Sequence, residues 1–316
     1  KSLNKKGNVH VGNCNWAPTF LEADNFVITP LIHSINYIDF LIKYCKTNFI
    51  KVIVPLFDVD LPVLASSIEK FNGHSINVIV SHKDVIDICN DKWKSYKFFS
   101  KVKISTPKSY ISFEKATKAL ETKKIKFPLF LKPRFGFGSI GVVEANNMKE
   151  LSILNKYVEL KIFNSYIKYD SLKHSKNCVI FQEKIDGEEF GMDVLNDLNT
   201  NYVSSFIKKK IEMKNGETYH AITCKDLKAE KVAQLLSKNL KHILVLDVDY
   251  IKAKDGNLYV IDINCRFGGG YPFSHMAGVD VPSALLHWLQ NKNPPDHILK
   301  VKYGVESVKG LDLKIV

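Results

Sequence analysis

Four aspartates and two asparagines crowd one stretch, LDVDYIKAKDGNLYVIDINCRFGGG at 246–270. Asp255 and Gly256 form a hairpin dipeptide between two alternating runs, and a turn centred there sets Asp249 opposite Asp262 and Asp247 opposite Asn264. Opposing residues share a face of the sheet, as do residues two apart on one strand. At about 4 Å and an effective dielectric of about 20, each like-charged pair costs on the order of 4 kcal/mol. Something cationic must therefore sit there. Hard oxygen ligands without His or Cys suit Mg²⁺ or Mn²⁺ shared with phosphates rather than zinc. A solvated acidic face is the bland alternative, and the apolar residues on both strands speak against it. Arg266, two residues past Asn264, stays on that face if the strand continues and then reaches a metal-bound phosphate; a helix-capping or ion-pair role is its alternative.

A second constellation is KPRFGFGSIGVV at 132–143, where Gly136, Gly138 and Gly141 spell G-x-G-x-x-G. A dinucleotide-binding version of that motif must open a helix. Here the loop runs into Val142–Ala145, a short returning strand, so the reading is a strand–loop–strand flap offering backbone N–H donors to phosphates. Lys132 supplies an ammonium beside it and Arg134 a forked guanidinium. The bland alternative is a surface hairpin whose glycines serve turn geometry.

These sites need elements to carry them. Up to about residue 100 the chain alternates short β-rich runs with helical patterns (Phe26–Thr29, Tyr37–Cys45, Ile50–Pro55, Val63–Phe71, Ile76–Val80, Val85–Cys89), the rhythm of a parallel α/β sheet. An opening strand and loop before Phe26 are expected to be missing. Helices are predicted over Asp91–Lys101 and Ser112–Thr122, followed by the buried run FPLFLKP at 127–133. Residues 178–264 are dominated by long strands with a helix near 226–243, and antiparallel sheet is the natural reading. A C-terminal helix is expected near Pro282–Gln290. The fold class is α/β followed by α+β.

Composition removes several functions. The 316 residues carry 45 Lys and Arg against 33 Asp and Glu, a formal charge of +12. Only Arg134 and Arg266 are arginines, and proteins that read bases or grip nucleic-acid phosphates lean on Arg. The runs Lys123, Lys124, Lys126 and Lys208, Lys209, Lys210 lack interleaved aromatics and read as solvated faces. No nucleic-acid partner is expected. No apolar run approaches the ~18 residues of a membrane span. Six cysteines without a C-x-x-C pair read as free thiols in a reducing cytoplasm. His220 and His275 lie in no nucleophile or metal spacing and read as structural. No heptad stands out, which leaves the oligomeric state, a homo-oligomer included, open.

In their joint order these motifs resemble the ATP-grasp superfamily, specifically single units similar to half of the carbamoyl-phosphate synthase large chain. The resemblance covers nearly the whole chain and implies an ATP-grasp fold behind a Rossmann-like (pre-ATP-grasp) domain. The implied divisions are 1–90 for that domain, 91–180 for a small subdomain with the flap, and 181–316 for a large subdomain with the metal site. It implies that Lys92 of CNDK contacts phosphate and that Lys132, Arg134, Gly136, Gly138, Ser139 and Gly141 hold the triphosphate. In FQEKIDGEEFGMDV, 181–194, Glu183, Lys184 and Ile185 would frame the adenine and Glu189 the ribose hydroxyls. Asp249, Asp262 and Asn264 would hold Mg²⁺ or Mn²⁺, with Arg266 on the transferring phosphate; Arg266, Lys132 and Asn264 form the implied catalytic set.

The family's usual Asn-Pro-Arg reads Asn264-Cys265-Arg266 here, Asp262 stands where Glu is common, and the opening Gly-rich strand turn is absent. The implied reaction is attack of a small-molecule carboxylate on the γ-phosphate of ATP, giving an acyl phosphate and ADP, then attack of an amine or thiol. Asp262→Asn or Arg266→Ala is expected to abolish ADP formation with the fold intact. Two other classes compete: an ATP-binding regulatory module without turnover, and an NAD-dependent dehydrogenase, which needs a helix directly after Gly141.

Overall fold

The computed structural model describes residues 7–310 and 313. The chain opens with β1 (His10–Asn13), β2 (Asn25–Ile28), α1 (Tyr37–Thr47), β3 (Val52–Ile53), α2 (Asp60–Ala65), α3 (Ile68–Asn72), β4 (Asn77–Val78) and α4 (Lys83–Asn90). β1 pairs with β2 in parallel, and β3 with β4. The α/β rhythm is therefore real, but ladders this short close only in pairs. A strand does precede Phe26: β1, whose four residues are too few to display an alternating pattern. The run Val63–Phe71 is broken at Ser66 and Ser67 into α2 and α3; serine competes with the helical backbone for its own hydrogen bonds.

A four-stranded antiparallel sheet follows, in the order β5-β8-β6-β7. It is built from α5 (Lys92–Lys101), β5 (Ser109–Tyr110), α6 (Phe113–Glu121), β6 (Leu129–Pro133), β7 (Val143–Ala145), α7 (Met148–Phe163), α8 (Lys168–Ser171) and β8 (Val179–Glu183). β8 runs through the 180/181 division expected from sequence. Side chains cap the helices: Asp91 accepts from the backbone N–H groups of Trp93 and Lys94, and Ser112 from Lys115. Asn147 and Glu150 cap α7 reciprocally. The sequence pattern concealed α7, because it buries Leu151, Val158 and Ile162 yet exposes Ile153 and Leu160, which blurs the helical period.

The larger sheet has six strands in the order β13-β12-β9-β10-β11-β14. Its elements are β9 (Gly187–Asn196), β10 (Tyr202–Lys214), β11 (Glu217–Cys224), α9 (Leu227–Leu240), β12 (Val245–Ala253), β13 (Leu258–Asn264), α10 (Tyr271–Met276), α11 (Val281–Leu289) and β14 (Glu306–Val308). Strand alternation divides it cleanly. Met192, Val194, Ile207, Leu246, Val248, Tyr250 and Ile263 enter one core, shared with Ala233 and Leu236 of α9 and with Ile86 and Phe99 from α4 and α5. The residues between them, Asp193, Lys208, Asp247 and Asp249, turn to the opposite face.

Candidate active site

Asp247 pairs with Asn264 and Asp249 with Asp262, as the sequence requires, but by a different route. Nearer the turn the register is one residue off (Tyr250 opposite Val260, Lys252 opposite Leu258), and a bulge between the two regions restores it. The turn itself is longer than two residues, with Ala253 and Asn257 as its closing pair and Gly256 at φ 78°. Two irregularities cancel, and the carboxylates keep their common face.

That face is cationic as well as anionic. Lys92 Nζ donates to both Asp262 oxygens, at 2.8 and 2.7 Å. Lys210 Nζ lies 2.6 Å from Asp249 and 2.7 Å from Glu189, so a single ammonium links two candidate residues on neighbouring strands. Burial pulls the Lys210 ammonium down, yet Asp249 and Glu189 outweigh it and the net direction is up. Arg266 bridges Asp247, through Nη1 at 2.9 Å, and Asp58, through Nε at 3.1 Å and Nη2 at 2.9 Å. Burial, then repulsion from Asp249, pushes the Asp247 carboxyl up to about 6 against the pull of Arg266. Among the described residues no three His, Cys, Asp or Glu side chains are grouped to hold a metal ion. The acidic face expected to attract a cation is thus partly neutralised by the chain's own Lys92, Lys210 and Arg266.

The lysine run on β10 is therefore not a solvated face. Lys209 is, and pairs with Glu188. Lys208 is 1% exposed and donates to the fully buried Asp193 and to Ser274. β10 points its even-numbered residues here inward, across Gly191, and a Cβ on Gly191 would lie 3.3 Å from Lys208 Cε. The missing side chain lets the lysine stems cross the sheet. Sequence reasoning passed over Lys210 because three successive lysines hide the period-2 alternation that separates them. Gly268 is a second close approach, since a Cβ there would sit 2.2 Å from the Asp247 carboxyl carbon. Gly268→Ala is expected to displace Asp247 from Arg266 and lower activity sharply, read by comparing turnover with circular dichroism of the same sample.

Lys132, on β6, sits beneath the flap. Its Nζ donates to Gln182 Oε1 at 2.8 Å and to the Ile261 carbonyl at 3.4 Å. Burial pulls its pKa down to about 8, with Asp262 opposing. Lys92, Tyr96, Lys132, Gln182 and Asp262 line one small cavity. β7 returns antiparallel to β6 immediately after the loop, which removes the helix that an NAD-binding reading of Gly136, Gly138 and Gly141 requires. The loop tip, Gly138 and Ser139, lies against Gly216 in the β10–β11 turn.

Arg134 departs from its expected role. Its Nε and Nη2 donate to the two oxygens of Asp91 at 2.8 and 2.6 Å, in a buried bidentate pair. The forked geometry that suggested a phosphate ligand instead ties the loop base to the N-terminus of α5. At the junction of the two sheets, Glu183 Oε1 accepts from the Lys108 backbone N–H and Lys184 pairs with Glu144 on β7. Ile185 is half-buried nearby, between β8 and β9.

Residues 1–79 match a family described as the PylC-like N-terminal domain, and residues 89–270 match the ATP-grasp domain. The coenzyme gamma-F420-2:alpha-L-glutamate ligase of Methanocaldococcus jannaschii is 28% identical over 187 residues, 57% of this chain and 59% of that protein. The carbamoyl phosphate synthase large chain of Mesorhizobium japonicum is 24% identical over 269 residues, 74% of this chain and 23% of that one. The chain thus spans between about a quarter and three fifths of the length of these relatives. Among solved structures, the biotin carboxylase domain of Hydrogenobacter thermophilus 2-oxoglutarate carboxylase, crystallised with MgADP, shares the fold at TM-score 0.76 and 15% identity, covering 96% of this chain and 69% of that one. With more than half of its 316 residues inside the matching segment, this chain belongs to the ATP-grasp domain family.

Proposed function

We propose that the chain is an ATP- and Mg²⁺-dependent ligase that joins a small-molecule carboxylate to an amine, or to a thiol, through an acyl phosphate with release of ADP. The observation that carries this reading is the convergence of Lys92, Lys132, Lys210 and Arg266 on the hairpin that carries Asp247, Asp249, Asp262 and Asn264. Phosphoryl transfer needs positioned cations and in-line geometry more than a covalent nucleophile.

The donor chemistry fits a divalent cation. Asp249 and Asp262 stand opposite each other, Asn264 follows on the same face with a side-chain amide that makes no hydrogen bond among the described residues, and all three offer hard oxygen. These residues would hold Mg²⁺, which would supply neutralisation of phosphate charge. Lys92 and Lys132 would anchor phosphates, and Gly136, Gly138, Ser139 and Gly141 would close over them. Glu183, Lys184 and Ile185 would border the adenine, and Glu189 would accept from the ribose hydroxyls. Arg266 would face the transferring phosphate; four of its five N–H groups are engaged by Asp58, Asp247 and the Phe267 carbonyl, which orient it. Flap closure would exclude water from a hydrolysable acyl phosphate. The two substrates would be small molecules in the cytoplasm; no helix among the described residues is long and apolar enough to cross a membrane.

Thermal unfolding with ATP plus Mg²⁺, ATP plus EDTA, GTP plus Mg²⁺, and NAD tests the reading. A ligand at 100 times its Kd adds about 2.7 kcal/mol. A Mg²⁺-dependent ATP shift is the expected result, and stabilisation by NAD alone overturns it. The same shift without ADP release under any carboxylate and amine would favour a regulatory module.

Lys132 adds a pH signature. Its folded-state pKa, about 8, lies below the unfolded value of about 10.5. Below pH 8 it is charged in both states and its burial opposes folding by about 3 kcal/mol, a penalty that fades as pH rises from 8 toward 10.5. MgATP binding needs the ammonium, so affinity is expected to weaken above pH 8, approaching tenfold per pH unit. Titration by calorimetry checks this, and Lys132→Met should flatten the profile.

A further inference from the structure

Asp58 enters the roles above only through Oδ2, which helps to orient Arg266. It lies between β3 and α2, and its side chain is 9% exposed. Oδ2 accepts both hydrogen bonds from Arg266, whereas Oδ1 is buried with no partner. Leaving such an oxygen unsatisfied costs roughly 1–3 kcal/mol, more when charged. Arg266 cannot make up the deficit, because it also serves Asp247.

The surroundings of Asp58 are suited to a second cation. Phe57, its neighbour in the chain, meets Phe137 of the flap edge-on with centroids 5.0 Å apart and tilts against Tyr166 at 6.0 Å. Phe137 stacks on Tyr166 at 5.8 Å, which closes a three-ring cluster drawn from the N-terminal lobe, the flap and the α7–α8 connection. Burial and then the charge of Asp58 push the Tyr166 phenol up, so the carboxylate lies within electrostatic reach of the rings. A carboxylate beside aromatic faces is the chemistry that selects an ammonium. Phe137 stands between Gly136 and Gly138, so one wall of the cluster belongs to the flap. A thiol or hydroxyl acceptor would bring no positive charge to Oδ1.

We propose that Asp58, with Phe57, Phe137 and Tyr166, binds the protonated amine of the acceptor substrate and selects amines over thiols and alcohols. This rests on the ligase reading. Asp58 is here a specificity-determining residue, and the proposal concerns recognition alone.

The test is thermal unfolding with Mg²⁺ and a non-hydrolysable ATP analogue, adding ethanolamine, putrescine or L-lysine, with ethylene glycol and 2-mercaptoethanol as uncharged controls. Wild type is expected to gain a further shift from an amine and none from the controls. In Asp58→Asn, which retains an acceptor for Arg266, amine affinity measured at saturating nucleotide analogue should fall at least about tenfold. Tyr166 is exposed enough for Tyr166→Leu to fold, and that variant should weaken amine binding about two- to fivefold. Equal stabilisation by the controls, no amine shift in wild type, or an amine shift unchanged in Asp58→Asn would each overturn the proposal. Absence of the nucleotide shift itself would instead sink the ligase reading on which it stands.

Discussion

Asp262→Asn is expected to lower ADP release by about 10²- to 10³-fold, with the fold preserved. Asp262 combines two functions in the proposed site: it is one of the hard-oxygen ligands opposite Asp249, and it holds Lys92 through both of its oxygens. The amide keeps one acceptor for the ammonium but loses the charge that favours a divalent cation. Steady-state ADP release over a Mg²⁺ series, beside the melting curve, separates the two contributions. Wild-type turnover would remove Asp262 from the site. Arg266→Ala, by contrast, is not the clean experiment the sequence suggested. Arg266 bridges Asp58 and Asp247, and truncating it leaves two buried carboxylates facing each other unpaired. Breaking a buried ion pair in that way costs about 3–5 kcal/mol. Arg266→Lys, which keeps a charge but not the fork, is the variant that reports on phosphate contact.

Lys208→Met should destabilise the protein by about 3–5 kcal/mol, a fall in Tm on the order of 10 °C. Asp193, Lys208 and Ser274 form a network with almost no exposure, and Asp193 already carries one oxygen without a partner. Removing the ammonium leaves the buried charge with the Ser274 hydroxyl alone. The double change Lys208→Met with Asp193→Leu is expected to recover most of the loss, because the paired charges are replaced by apolar volume. Lys209→Met, one residue away on the exposed face, should shift Tm by little more than experimental error. If Lys208→Met and Lys209→Met melted alike, the alternation of β10 would be wrong.

Much of the site was legible because it is written in strand periodicity. Asp247, Asp249, Asp262 and Asn264 sit on one hairpin, whose register depends on local turn chemistry and a few intervening residues. Even there the answer held through compensation between a longer turn and a bulge, neither visible in the letters. The flap was legible for a similar reason, since Val142–Ala145 follow the glycines too closely for a helix. Helix α7 was not, because its apolar residues fall on both a buried and an exposed face.

The sequence by itself determined the elements whose partners lie nearby along the chain: the carboxylate hairpin, the strand–loop–strand flap, the capped helices and the ATP-grasp order of motifs. Only the tertiary structure decided which charges meet. Arg134 turns to Asp91, Arg266 joins Asp247 of its own hairpin to the distant Asp58, and Lys210 joins Glu189 to Asp249 across two strands. A long cationic side chain reaches several ångströms in any direction its rotamers allow, and its preferred anion is set by burial and by what else competes for it. Those quantities exist only once distant segments have been brought together.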